Sequence, residues 1–278
     1  MKLFASDMDG TLLCSDFTIS RENLDAIAQL ERRGVVFAIA TGRSYIDARS
    51  ILERHGVSYP IVCSNGAAVR GADGALIAKR TIPLDELERL CTYMDEHGIF
   101  YGINTTWDLS MLPNWEALVD AEEGATSEKL AFVKEPVLSQ YGLRFVPSFA
   151  PFLSGEEDSC SISLASTSEE KLDDLAAFAA LSGKVHLMAS GFSSLEITPA
   201  GCSKASGLKE LGEFLGISLE EMVSMGDNYN DLDMLLETGL SFAVENAPED
   251  IRAACTGVTP SCNENGVAYA IHRLLEEE

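Results

Sequence analysis

Basic residues are scarce in this chain: 20 Lys and Arg stand against 44 Asp and Glu, a formal net charge of −24 over 278 residues. Nucleic-acid phosphates and anionic membranes draw most of their affinity from Lys and Arg, so both are excluded as main partners. Histidine is scarcer still. Its four residues, His55, His97, His186 and His272, are scattered and suggest no metal cluster. The seven cysteines, at 14, 63, 91, 160, 202, 255 and 262, form no CxxC pair and no regular spacing. An odd, scattered set argues for reduced thiols in a cytoplasmic protein rather than a disulfide framework. No apolar run approaches the ~20 residues a membrane helix needs. Met1-Lys2 leads straight into the first apolar run, so no secretory leader is expected. The remainder has an ordinary globular composition, 46% hydrophobic and 23% charged, with length enough for one large domain or two smaller ones.

The chain is organised around Ser6-Asp7-Met8-Asp9-Gly10-Thr11-Leu12-Leu13, which follows the apolar run Leu3-Phe4-Ala5. A buried strand ending there delivers Asp7 and Asp9 to the carboxyl edge of a sheet, where open α/β sheets bind ligands. Like charges that close raise each other's pKa unless a cation sits between them. The pair therefore implies a shared proton or a hard metal such as Mg²⁺, which prefers carboxylate oxygens. A solvated acidic turn after a strand is the competing reading.

Taken in order, Ser20 is placed to cap a helix bearing Leu24, Ile27 and Ala28 on one face, ended by Gly34. Residues 35–40 read as a strand buried on both faces, as in parallel sheets. Thr41-Gly42-Arg43 stands at its end, before a helix at about 44–55. Strand Ile61-Val62-Cys63 runs into Ser64-Asn65-Gly66, and residues 69–82 look like a hairpin turning at Asp73-Gly74. This β-α-β-α-β opening predicts a doubly wound (Rossmann-like) parallel sheet in an α/β protein. From 83 the segments become short and mixed, and residues 83–189 read as an inserted α+β domain. The buried-strand pattern returns with Leu195-Glu196-Ile197, giving an expected division of 1–82 core, 83–189 cap and 190–278 core. A helix starting near Ser203, the strand Met222–Met225 leading to Gly226-Asp227-Asn228-Tyr229-Asn230-Asp231, the strand Ser241–Val244 and two short helices complete the chain.

Four strand ends thus carry polar chemistry: Asp7/Asp9, Thr41/Gly42, the Lys204 region, and Asp227/Asn230/Asp231. In this order the chain resembles the haloacid dehalogenase superfamily, and within it the Cof-type phosphatases with a large cap inserted after the third core strand. The resemblance rests on Asp7–Leu13, Ala40-Thr41-Gly42-Arg43, Ser203-Lys204 with Gly207-Leu208, and Gly226–Asp231 through Met234-Leu235. It implies Asp7 as the nucleophile that forms an aspartyl-phosphate, and Asp9 as the acid and base. It also implies Mg²⁺ held by Asp7, Asp9 (through its carbonyl) and Asp227, with Asp231 orienting metal-bound water. Thr41, Gly42, Lys204 and Asn230 are implied to hold the phosphoryl oxygens. The family commonly has Gly directly after the motif lysine; Ala205 stands here, and Lys204 is expected to keep its role. Asn65-Gly66 reads as a turn and Arg43 as structural.

The reaction this implies is hydrolysis of a small phosphorylated metabolite, such as a sugar phosphate, nucleotide or cofactor monophosphate, by a cytoplasmic monomer or homodimer. Residues 83–189 hold six basic and 19 acidic residues, ill suited to gripping a second phosphate, so a monophosphate ester is expected. Trp107, Trp115, Tyr101 and Tyr141 offer either stacking surfaces or cap core. A sugar phosphomutase on the same chemistry and a non-catalytic metabolite-binding protein are the alternatives.

Overall fold

The computed structural model describes residues 1–122, 125–191 and 194–277, and the chain divides into two separately packed units. The first comprises residues 1–43, 48–78 and 203–278; the second comprises 44–47 and 79–202.

The first unit is built on an eight-stranded sheet. Its strands run in the order Gly257–Thr259, Leu240–Val244, Met222–Gly226, Leu3–Ser6, Val36–Ala40, Ile61–Cys63, Ala68–Arg70, Leu76–Lys79. The first six are mutually parallel, and Ile61–Cys63 pairs antiparallel with Ala68–Arg70. Leu3–Ser6 is buried at all four positions, and Met222–Gly226 at all five. Such uniform burial is what a sheet covered on both faces demands. The chain enters at the middle of this sheet, proceeds outward through 36–40 and 61–63, then returns to the other side of its first strand. Strand Leu3–Ser6 is therefore the point where strand order reverses, and its carboxyl end opens on the crevice used for ligands in such sheets.

Local signals mostly hold. Ser20 accepts a hydrogen bond from the Asn23 amide at the start of helix Arg21–Arg32, a cap worth about 1 kcal/mol. The buried face differs from the expected one: it is Asn23, Ala26, Ile27 and Leu30, because the Asn23 carboxamide accepts from the Ala268 amide and so has a buried partner. The C-terminal segment holds a short helix, Glu249–Ala254, then the unforeseen strand Gly257–Thr259 and a 12-residue helix, Gly266–Glu277.

The second unit has a six-stranded sheet in the order Val185–Gly191, Ser194–Pro199, Ser161–Ala165, Phe100–Asn104, Leu109–Met111, Leu143–Phe145. The strand expected around Leu195 exists but belongs here, paired antiparallel with both of its neighbours, not in the first sheet. An apolar run specifies a strand, not which sheet receives it. Its short connection to Val185–Gly191 favours hairpin pairing. One apolar layer gathers Leu87, Leu90, Met94, Ile103, Ile162 and Leu175; a second gathers Phe100, Met111, Trp115 and Val119. Trp115 and Tyr101 are core residues, whereas Trp107 is 40% exposed with its ring against Tyr45. Among the described residues no helix is long and apolar enough to cross a membrane.

Candidate active site

Strand register brings three of the four sequence motifs to one sheet edge; the fourth, Lys204, follows a strand of the other sheet and reaches this edge as the first residue of a helix. Ser6 is level with Met225 on one side and Ile39 on the other, and Ala40 is level with Val62. The residues that follow each strand therefore leave at the same end: Asp7, Thr41, Ser64 and Asp227. The backbone fixes this further, with the Asp7 amide on the Met225 carbonyl and the Thr41 amide on the Val62 carbonyl, each 2.8 Å.

At the centre lies a buried charge cluster. The Lys204 ammonium, 1% exposed, donates to Asp7 Oδ1 at 2.6 Å and to Asp231 Oδ1 at 2.5 Å. Ser203 caps the helix Lys204–Leu215 and so starts it where this side chain points inward; Ala205 fits the first turn, buried and helical. Asp231 has both oxygens occupied, since Oδ2 accepts from the amides of Asp227 (2.9 Å) and Asn228 (3.0 Å). Asp227 is steadied by the Thr11 hydroxyl, 2.8 Å from its Oδ1. Gly10, at φ +79°, permits this approach: a Cβ there would lie 2.5 Å from Asp227 Oδ2. One carboxylate oxygen from each of Asp7, Asp227 and Asp231 falls within 4.8 Å of the others.

Three carboxylates around one ammonium leave negative charge in excess, and the titration reflects it. Burial pushes the Asp7 carboxyl well above its usual range; the Lys204 charge opposes this, and Asp231, Asp227 and Asp9 reinforce it. Burial followed by the Asp231 charge raises Asp227 to about 6, against the pull of the Thr11 hydrogen bond, Lys204 and a hydrogen bond with Asp7. Burial disfavours the Lys204 charge, but Asp231 and Asp7 outweigh it and raise its pKa. An oxygen-only donor set with surplus negative charge suits a hard divalent cation such as Mg²⁺.

Asp9 stands apart. Its carboxylate is 42% exposed and is gripped by Arg43, with Nε on Oδ2 and Nη2 on Oδ1, both at 2.7 Å. Arg43, read from sequence as merely structural, thus holds a motif carboxylate in a two-point clamp. Thr41 is buried, and its hydroxyl accepts from the Arg43 amide at 3.2 Å. Asn230 donates to Asn65 Oδ1 at 3.2 Å. Sequence reading also passed over Asn246, which donates to the Gly10 carbonyl (2.9 Å) and accepts from the Cys262 amide (3.0 Å). Its one visible signal is an Asn just beyond a strand end.

This arrangement matches a known family along nearly the whole chain: the haloacid dehalogenase-like hydrolase profile covers residues 4–271. The chain belongs to the haloacid dehalogenase-like hydrolases. Within that family it is similar to phosphatase YwpJ of Bacillus subtilis, 31% identical over 285 residues, covering 99% of this chain and all of the relative. It is also 29% identical to the B. subtilis 5-amino-6-(5-phospho-D-ribitylamino)uracil phosphatase YwtE, with 99% and 98% of the two chains covered. A solved B. subtilis haloacid dehalogenase-like hydrolase superposes with a TM-score of 0.86 at 30% identity, covering 99% of this chain and all of that one. This haloacid dehalogenase-like hydrolase is an enzyme of the phosphatase class, of Cof type.

Proposed function

We propose that the chain is a Mg²⁺-dependent phosphomonoesterase that works through an aspartyl-phosphate on Asp7. The observation that carries this reading is the cluster of Asp7, Asp227 and Asp231 carboxylates around Lys204 at the point where strand order reverses. Asp7, the main-chain carbonyl of Asp9 and Asp227 would hold the metal, which when bound offsets repulsion between carboxylates and the phosphoryl group. Asp231, with both oxygens already engaged, orients its neighbours.

In the first step an Asp7 carboxylate oxygen attacks phosphorus, the P–O bond to the leaving group breaks, and Asp9 gives its proton to the departing oxygen. In the second, Asp9 takes a proton from water as that water attacks the same phosphorus, releasing inorganic phosphate and free Asp7. Lys204, the Thr41 hydroxyl, the Gly42 amide and Asn230 stabilise the phosphoryl oxygens, where charge develops. The half-open setting of Asp9 suits a group that must exchange protons, and the closed setting of Asp7 suits one that must not meet bulk water.

The substrate class we propose is a small monophosphate ester, supported by the acidic balance of residues 83–189 and by the phosphorylated ribityl compound for which YwtE is named. Release of inorganic phosphate from a panel of monophosphates and bisphosphates, with Mg²⁺ and with chelator, tests it. Turnover should require Mg²⁺, favour monophosphates and fall about 10⁴-fold or more in Asp7→Asn. Undiminished turnover in that variant defeats the nucleophile assignment, and preference for a bisphosphate defeats the substrate class. Isomerised sugar phosphate without free phosphate would instead establish a mutase.

A further inference from the structure

The turn Ser64–Gly66 is the most contorted stretch of the described chain. Ser64, Asn65 and Gly66 have φ of +49°, +50° and +91° in succession. Two of these are non-glycine residues in the left-handed region, which L side chains seldom occupy. Both are buried, and the Ser64 hydroxyl has no hydrogen-bond partner. Backbone held against its preferences in this way is characteristic of functional sites, where surrounding contacts enforce it. The contacts here are specific. The Ser64 amide donates to the Arg43 carbonyl and the Asn65 amide to the Thr41 carbonyl, both at 3.0 Å, which fixes the loop carrying Thr41 and Gly42. The Asn65 side chain accepts from Asn230 Nδ2 at 3.2 Å. On its third side Gly66 lies so close to the cap of the Lys204 helix that an added Cβ would sit 2.0 Å from the Ser203 carbonyl oxygen. A Cβ at Gly207 would in turn be 2.8 Å from the Gly66 α-carbon, so glycine on both surfaces permits the contact.

We infer that Asn65 is a positioning residue that sets the Thr41-Gly42 loop and Asn230 in a single register, its backbone tied to Thr41 and its side chain to Asn230. The inference rests on the proposed role of Thr41, Gly42 and Asn230 as phosphoryl-holding groups. Asn65 does not transfer a proton or ligate metal. It removes the freedom of Asn230 to turn away and keeps two chain segments, far apart in sequence, at one spacing around the phosphoryl group. Misplacement of such groups by about 1 Å is enough to cost on the order of 10²-fold in rate.

The test is a double-mutant cycle of Asn65→Gly with Asn230→Ala in the full-length enzyme, read as kcat/KM on a monophosphate and as the inhibition constant of orthovanadate. Glycine adopts the left-handed backbone without strain, so Asn65→Gly keeps the turn and removes only the side chain. The expected result is a ~10–100-fold loss of kcat/KM, a matching rise in the vanadate constant and an unchanged Mg²⁺ half-saturation. Asn230→Ala should cost nothing further in the Asn65→Gly background. Asn65→Asp keeps the acceptor oxygen, and in that background Asn230→Ala should cost what it costs in the wild type. Vanadate inhibition within twofold of wild type in Asn65→Gly, additive losses in the cycle, or a loss that follows the Mg²⁺ constant overturns the inference. Wild-type enzyme that vanadate does not inhibit, or Asp7→Asn enzyme that still turns over, defeats the phosphatase reading instead.

Discussion

Two ion pairs flank the same eight-residue turn, and they are built to opposite specifications. Lys204 with Asp7 and Asp231 is sealed, its members between 0% and 8% exposed, while in the other pair Asp9 is 42% exposed beside an Arg43 that is 17% exposed. A sealed pair is held in place because neither partner has an alternative: separation leaves an uncompensated charge in a low dielectric. A pair with one partner open to water costs less to separate, since water and salt can reach the freed carboxylate. The same chain segment thus supplies one carboxylate whose surroundings are fixed and one whose surroundings can change.

Substitutions should separate the two. Lys204→Ala is expected to have the largest effect, since it strands Asp7 and Asp231. It should lower stability by about 3–5 kcal/mol in chelator and kcat by ~10²–10³-fold with Mg²⁺. A melting temperature close to wild type would show that the pair is not sealed. Asp9→Asn should leave the fold intact yet reduce kcat/KM on an alkyl phosphate by about 10²–10⁴-fold, with a smaller loss on p-nitrophenyl phosphate, whose leaving group needs no proton. Equal losses on the two esters would remove Asp9 from the proton-transfer role.

Asp227 gives the pH-dependent test. Folded, it keeps its proton up to about pH 6, whereas its ordinary value is 3.8. Between those values the folded state binds the extra proton, so metal-free stability falls as pH rises, and the contribution present at pH 4 is lost above pH 6. Asp227→Asn cannot ionise. In chelator its melting temperature should match wild type at pH 4 and exceed it by several degrees at pH 7, with the order reversed at pH 7 in saturating Mg²⁺. A wild type more stable than the variant at pH 7 in chelator would contradict the surplus of negative charge. The smallest effect is expected from Arg43→Ala, under about 1 kcal/mol by thermal or urea unfolding. A larger loss would mean that the two pairs are not different in kind.

Much of this was legible in sequence, for identifiable reasons. Uniformly apolar strands such as Leu3–Ala5 and Phe37–Ala40 announce a sheet covered on both faces. Acidic and hydroxylated residues just beyond those strands mark the edge where ligands bind. The strand at Leu195 was recognisable while its sheet was not, because pairing is decided by the partner across the ladder and not by the strand itself. Lys204 and Asp7 are 197 residues apart, and only the resemblance to a family joined them. The Arg43 clamp was illegible because loop geometry, not residue spacing, aims a guanidinium. Asn65-Gly66 was visible as a turn, but the consecutive left-handed residues that give it significance exist only in three dimensions.

Strand Leu3–Ser6 takes its neighbours from distant parts of the chain, Val36–Ala40 on one side and Met222–Gly226 on the other. During synthesis the first half-ladder can form early, while the second waits until more than two hundred residues have followed. Pairings so distant in sequence form late and slowly. A nascent chain that has completed residues 79–202 therefore still carries an open edge beside Asp7, and it becomes an enzyme only when its last quarter inserts there.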